Sequence, residues 1–142
     1  MSVRETALAA LYTRLGAALA ARSPAPKVLR NETVPQKLPA GGLVVVRDGE
    51  AVEETPILSP LAWAVEHRAE VEVVAATGAL LDELLVDITA AITGDRALGG
   101  AVEWAQPGAP SFDDAETEGA AAARAASVPV TLSFTVAGSP LA

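Results

Sequence analysis

Leu61-Ala62-Trp63-Ala64-Val65-Glu66-His67-Arg68-Ala69-Glu70-Val71-Glu72-Val73-Val74-Ala75 is the stretch that decides the fold. In an extended chain Trp63, Val65, His67, Ala69, Val71 and Val73 fall on one side, and Glu66, Arg68, Glu70 and Glu72 on the other. Alternation of this length predicts a strand with one face on a core and one face in water. A half-wet sheet backed by helices is a scaffold, and nothing adjacent to it supplies catalytic chemistry.

The flanking segments supply the backing. Ser2 and Glu5 have the spacing of a capping box, the serine accepting from the third helical N–H and the glutamate reaching back. Leu8, Leu11, Tyr12, Leu15 and Leu19 then form an apolar stripe, predicting a helix from Val3 to Ala21 that Ser23-Pro24-Ala25-Pro26 ends. Downstream, Thr77-Gly78 opens a second helix with the stripe Leu81, Leu84, Leu85, Ile88 and Ile92, and Gly94 is placed just beyond its end. Short strands are expected at Val28 to Asn31, Leu43 to Val46 and Ala101 to Ala105, with a loop from Val34-Pro35 to Gly41. Asp48-Gly49 reads as a type I′ hairpin turn, and Glu50 to Thr55 as the returning edge strand, interrupted by Pro56, Ser59 and Pro60. Pro107 to Gly119 reads as irregular. Val128, Val130, Leu132, Phe134 and Val136 alternate in a last strand, whose Pro129 suits an end or an edge. The order of elements implies one α+β domain over residues 1–142, with two helices on one face of a mostly antiparallel sheet.

The bulk composition narrows the function. A chain of 142 residues is one domain by length. With 51% apolar but only 4% aromatic residues, its core must be built from Ala, Val and Leu. Eighteen acidic against ten basic residues give a formal charge of −8, which opposes tight nucleic-acid binding. The absence of cysteine excludes disulfides, thiolate metal sites and cysteine nucleophiles. The N-terminus resembles a signal peptide faintly, but Glu5 and Arg14 interrupt its apolar stretch, and no run reaches the length of a membrane span. A cytosolic site of synthesis is expected.

No candidate for chemistry gathers a second group. His67, the only histidine, is in register with Trp63, Val65 and Val71, which predicts a core residue with one hydrogen-bond partner. Asp113, Asp114, Glu116 and Glu118 have the spacing of half a calcium loop, but Ala125 stands where the closing glutamate belongs, so a solvated acidic loop is expected. Gly41-Gly42 and Gly99-Gly100 lack the frame of a phosphate cradle, and Ser59 and Ser127 lack a nucleophile elbow. Arg30, Arg47, Arg68 and Arg96 are scattered among acids and read as ion-pairing positions first, interface anchors second. Trp63 reads as core; Trp104 divides evenly between core and interface. No enzyme, cofactor or metal is expected.

Six segments carry a family resemblance: Arg4-Glu5-Thr6-Ala7-Leu8, Val28-Leu29-Arg30-Asn31-Glu32, Pro39-Ala40-Gly41-Gly42-Leu43, Glu66 to Val73, Asp95-Arg96-Ala97-Leu98-Gly99-Gly100 and Val128-Pro129-Val130-Thr131-Leu132. In order and spacing they resemble small tail proteins of prophages and gene transfer agents, similar to siphophage tail terminators. That resemblance implies a hexameric ring on the head-proximal end of a tail tube. Such a ring stops tube polymerisation and docks the head-side connector, with DNA only passing through. The expected partners are sister subunits, the major tail tube protein and a neck protein, with no membrane; the expected location is the virion tail, after assembly in the host cytoplasm. Six copies would carry 6 × (−8), or −48, a sign that suits DNA passage without sticking. The interface residues expected from sequence are Arg30, Asn31, Arg47, Trp104 and Phe112. A neck or head–tail connector is the alternative within this class; a small enzyme or ligand-binding domain using His67 is the alternative outside it.

Overall fold

Ser2 starts the first helix as its spacing requires: its hydroxyl accepts from Glu5 N at 3.0 Å, and α1 runs over Val3–Leu19. The second half of the capping box does not form, because the Glu5 carboxylate turns instead to Arg30. In the computed structural model, which describes residues 1–32, 37–115 and 123–141, the elements after α1 follow the chain. They are β1 (Lys27–Arg30), β2 (Leu43–Leu58), β3 (Leu61–Ala75), α2 (Gly78–Gly94), a 3-10 turn (Leu98–Gly100), β4 (Trp104–Pro107), β5 (Ser111–Ala115) and β6 (Ala123–Ala137).

The six strands form one sheet in the order β1-β2-β3-β6-β4, with β5 also pairing β6. Only β1 and β2 run parallel; every other pairing is antiparallel. Both helices cover one face, so the α+β architecture expected from the sequence is the one found. Leu8, Leu11, Leu15 and Leu19 of α1 and Leu84, Ile88 and Ile92 of α2 pack on Val44, Val46, Val71, Val73, Val130 and Leu132 of the sheet. The alternation of β3 is realised: Val65, His67, Ala69, Val71 and Val73 are buried, while Glu66 and Arg68 are exposed and Glu70 and Glu72 half-buried.

The helices are pinned to each other by polar contacts across the layer. Arg22 binds Glu83 and Asp87 of α2, each at 2.7 Å. Arg14 Nε donates to the Ala91 carbonyl at 2.9 Å. Thr77 caps α2 by accepting from Leu80 N, and Gly94 is the last helical residue rather than the one beyond it.

Several local expectations are corrected. Asp48-Gly49 is not a hairpin turn, since β2 continues through it to Leu58 and the β2–β3 reversal lies at Ser59-Pro60. Pro56 is a strand residue opposite Trp63 and does not break the pairing. The expected strand Ala101 to Ala105 begins only at Trp104, after the 3-10 turn, and part of the segment expected to be irregular forms β5. Pro129 sits mid-way along a central strand. Its carbonyl accepts from Gly108 N at 2.7 Å, and a β residue's N and O point the same way. The donor that proline lacks therefore faces the gap between β4 and β5, where no ladder needs it. Of the loop expected over 34–41 and the acidic cluster, residues 34–36, Glu116 and Glu118 lie outside the described residues.

Candidate functional site

Two bulges give β2 its shape. Asp48 and Gly49 together face Ala69, and Val52 is a second extra residue between the pairs Ala51–His67 and Glu53–Glu66. Gly49 has φ +67°, and a Cβ there would fall 1.8 Å from the Arg68 carbonyl oxygen, so only glycine fits.

The first bulge is a node. Asp48 N donates to Asn31 Oδ1 at 3.0 Å, and the Asp48 carboxylate accepts from Arg30 Nε at 3.0 Å. Arg30 in turn holds both carboxylate oxygens of Glu5, at 2.7 and 2.8 Å. The doubly bonded Arg30 guanidinium keeps the Glu5 carboxyl below the usual carboxylate range, and its two acidic partners, Glu5 first, hold Arg30 more firmly protonated. From the sheet side, His67 Nε2 meets the Asp48 carbonyl. A carbonyl only accepts, so Nε2 carries the proton; Nδ1 is buried without a partner among the described residues. At 3% exposure His67 is a core residue, as its register in β3 implies. Arg30 and Asn31, two expected interface anchors, are thus engaged in joining α1, β1 and the bulge.

Beyond that node the hairpin formed by β2 and β3 leaves the helices behind. Residues 51–60 are all exposed, and β1 pairs with β2 only as far as Val46. The hairpin carries Val52 in its stem and Ile57, Leu58 and Leu61 at its tip in the open, Leu58 to 82%. Glu50, Glu53 and Glu54 flank them. These apolar residues were not among the expected anchors. Their signal in the sequence is Ile57-Leu58 and Leu61 on either side of Ser59-Pro60, apolar residues where a turn is normally flanked by polar ones.

The open edge of β2 is protected against strand addition. Gly138 N donates to Leu61 O, so the backbones of Leu61, Trp63 and Val65 turn towards β6 and those of Ala62, Ala64 and Glu66 towards β2. Pro56, opposite Trp63, therefore faces the open side and presents no donor there.

The remaining expected anchors lie apart from this tip and from one another. Arg47 pairs with Glu72 across the strands at 3.3 Å. Trp104 is 49% exposed at the start of β4, with the Arg96 guanidinium 4.4 Å from its ring centroid. Arg96 also donates to the Ala105 carbonyl and Gln106 Oε1, so it stacks and caps the β4 edge instead of ion-pairing. Phe112 is 69% exposed on β5, beside the outer flank of α2.

Two of the shallow concavities on the surface are lined largely by apolar side chains. One, of about 480 Å³, runs between α2 and Phe112 and is lined by Leu85, Val86, Ala90 and Pro110 with Asp82. The other, of about 470 Å³, lies between α1 and the 3-10 turn; Ala9, Ala10, Thr13, Ala17 and Leu98 line it with Arg14 and Asp95. Among the described residues no three His, Cys, Asp or Glu groups stand close enough to hold a metal ion, and no helix is long and apolar enough to cross a membrane. The chain matches no protein-family model and no curated protein.

Proposed function

We propose that this protein is a structural, ring-forming tail terminator that caps the head-proximal end of a phage-type tail tube and offers a docking surface to the head-side connector. The observation that carries this reading is the projecting hairpin with its bare apolar tip. Large apolar side chains grouped in water mark a surface built to be covered by protein. The resemblance of six ordered segments to tail terminators supplies the class of partner. The node at Asp48 supports the same reading, since the bulge, the strand that bears the tip and the first helix are tied into one rigid wedge. Rings close when a rigid subunit offers two different faces related by rotation.

Deleting the gene from the particle that encodes it tests this. Overlong tails, joined to heads or not, are expected by electron microscopy. Tails of normal length joined to heads would refute a terminator, and tails of normal length without heads would move the protein one layer up, to the connector.

A further inference from the structure

The sheet ends on two short strands, β1 and β5, that stand at the same level. Val28 of β1 pairs with Val44, Val44 with Val73, Val73 with Ala126, and Ala126 with Phe112 of β5. This row lies on the helix side of the sheet. Its inner three residues are buried and Val28 is half-buried, but Phe112 is 69% exposed.

The two ends match in hydrogen bonding, direction and charge. Lys27 N and Asn31 N donate to β2, so the main-chain groups of Val28 and Arg30 face outward. Pro129 accepts from Gly108, so Ser127 and Ala125 also turn to that side and bond Ser111 and Asp113; the main-chain groups of Phe112 and Asp114 face outward. Neither edge has a ladder partner among the described residues. The Val28 carbonyl accepts from the Tyr12 hydroxyl at 3.3 Å and keeps a second lone pair. β1 runs with β2 and β6 and against β5. A second copy with its helices on the same face therefore brings β5 antiparallel to β1, with Phe112 opposite Val28. One residue along, Asp113 comes opposite Lys27 on the face away from the helices.

The other edges do not match. β4 turns outward Ala105, whose carbonyl takes Arg96, and Pro107, which has no donor. The open stretch of β2 contains Pro56 and would set its glutamates near Asp113. Two β5 edges paired about a two-fold axis oppose Asp113 to itself, and two β1 edges leave Phe112 bare.

We infer that β1 of one copy and β5 of the next join as neighbouring strands, carrying the sheet from subunit to subunit of the ring proposed above, on which this inference rests. Val28 and Phe112 then form a cross-strand pair of β-branched and aromatic side chains. The contact is heterologous, so it closes into a ring or runs on as a filament. Pro26 and Pro110 bound the two edges, so the ladder is short and a single contact weak. Closure, which gives every copy two contacts, makes the assembly persist.

The chain has no cysteine, so an introduced pair reports the contact. Within one chain β1 and β5 are four strand spacings apart, about 19 Å, beyond the reach of a disulfide. Across the contact Leu29 falls opposite Ser111, in a closely spaced pair without hydrogen bonds. Leu29→Cys with Ser111→Cys is expected to give a ladder of disulfide-linked oligomers under mild oxidation, and Thr55→Cys with Ser111→Cys none. Phe112→Asp, at an exposed position, is expected to weaken association at least ~10-fold with the thermal midpoint of the monomer unchanged. Linkage through Thr55, an oligomeric wild type that the first pair does not cross-link, or undiminished association of Phe112→Asp overturns this inference and leaves the ring reading standing. A wild-type chain that stays monomeric both at high concentration and on tail tubes overturns both.

Discussion

The His67 imidazole binds the main-chain carbonyl of Asp48 across the first bulge of β2. The one histidine of the chain is thereby committed to holding a backbone group that the bulge has removed from the ladder. His67→Ala is expected to leave that carbonyl unsatisfied and a cavity in the core, at a cost of about 2–4 kcal/mol in urea unfolding. His67→Gln, whose amide can donate, should recover part of the loss. Were His67→Ala as stable as the wild type, the contact would have no structural role.

Gly49 carries the next expectation. Its φ of +67° and the 1.8 Å approach of a built Cβ to the Arg68 carbonyl act together, and the obstructing atom is backbone that cannot swing aside. Gly49→Ala should destabilise the protein by at least ~2 kcal/mol, more than left-handed strain alone usually requires. Gly99, at φ +71° with open space around it, is the control: alanine there should cost only about 1–2 kcal/mol. Equal losses at the two positions in chemical denaturation would mean that the close approach at Gly49 contributes nothing.

The contrast between Gly49 and β3 shows which parts of the fold could be read from sequence. Alternation in β3 is a local signal with a local cause, one face dry and one wet, and so are the caps at Ser2 and Thr77. Asp48-Gly49 is ambiguous by its nature, because a type I′ turn and a bulge both require positive φ from the glycine. Which one forms depends on whether Arg68 and Glu70, about twenty residues on, continue the ladder past it. Pro129 is ambiguous for the same reason, since its harmlessness in mid-strand depends on a gap between β4 and β5. The engagement of Arg30 depended on Glu5, 25 residues away in the chain. At the candidate site, the apolar residues around Ser59-Pro60 were visible, but their exposure follows from where the helices end, which no local pattern records.

The Glu5–Arg30 pair gives a pH dependence of known sign. Because the folded Glu5 carboxyl lies below its ordinary value of about 4.3, its contribution to stability is complete above that value and is lost as pH falls through the lowered one. The difference in thermal midpoint between wild type and Glu5→Gln should therefore be constant from neutral pH to about pH 5 and narrow on further acidification. A difference that widens on acidification would have the wrong sign for a carboxylate held by a cation.

Pro56 is expected to matter for solubility and not for folding. It lies on the open side of β2, where its missing N–H removes one donor from a strand edge that, among the described residues, has no ladder partner from Gly49 to Leu58. Pro56→Val restores that donor and adds a β-branched side chain, while Glu50, Glu53 and Glu54 still repel a second edge by charge. The single variant should retain its thermal midpoint and scatter light faster at high salt, where the glutamates are screened. Adding Glu53→Ala and Glu54→Ala should bring the same scattering at low salt. If Pro56→Val with both glutamates removed stays as dispersed as the wild type under either condition, the edge is shielded by something other than proline and charge.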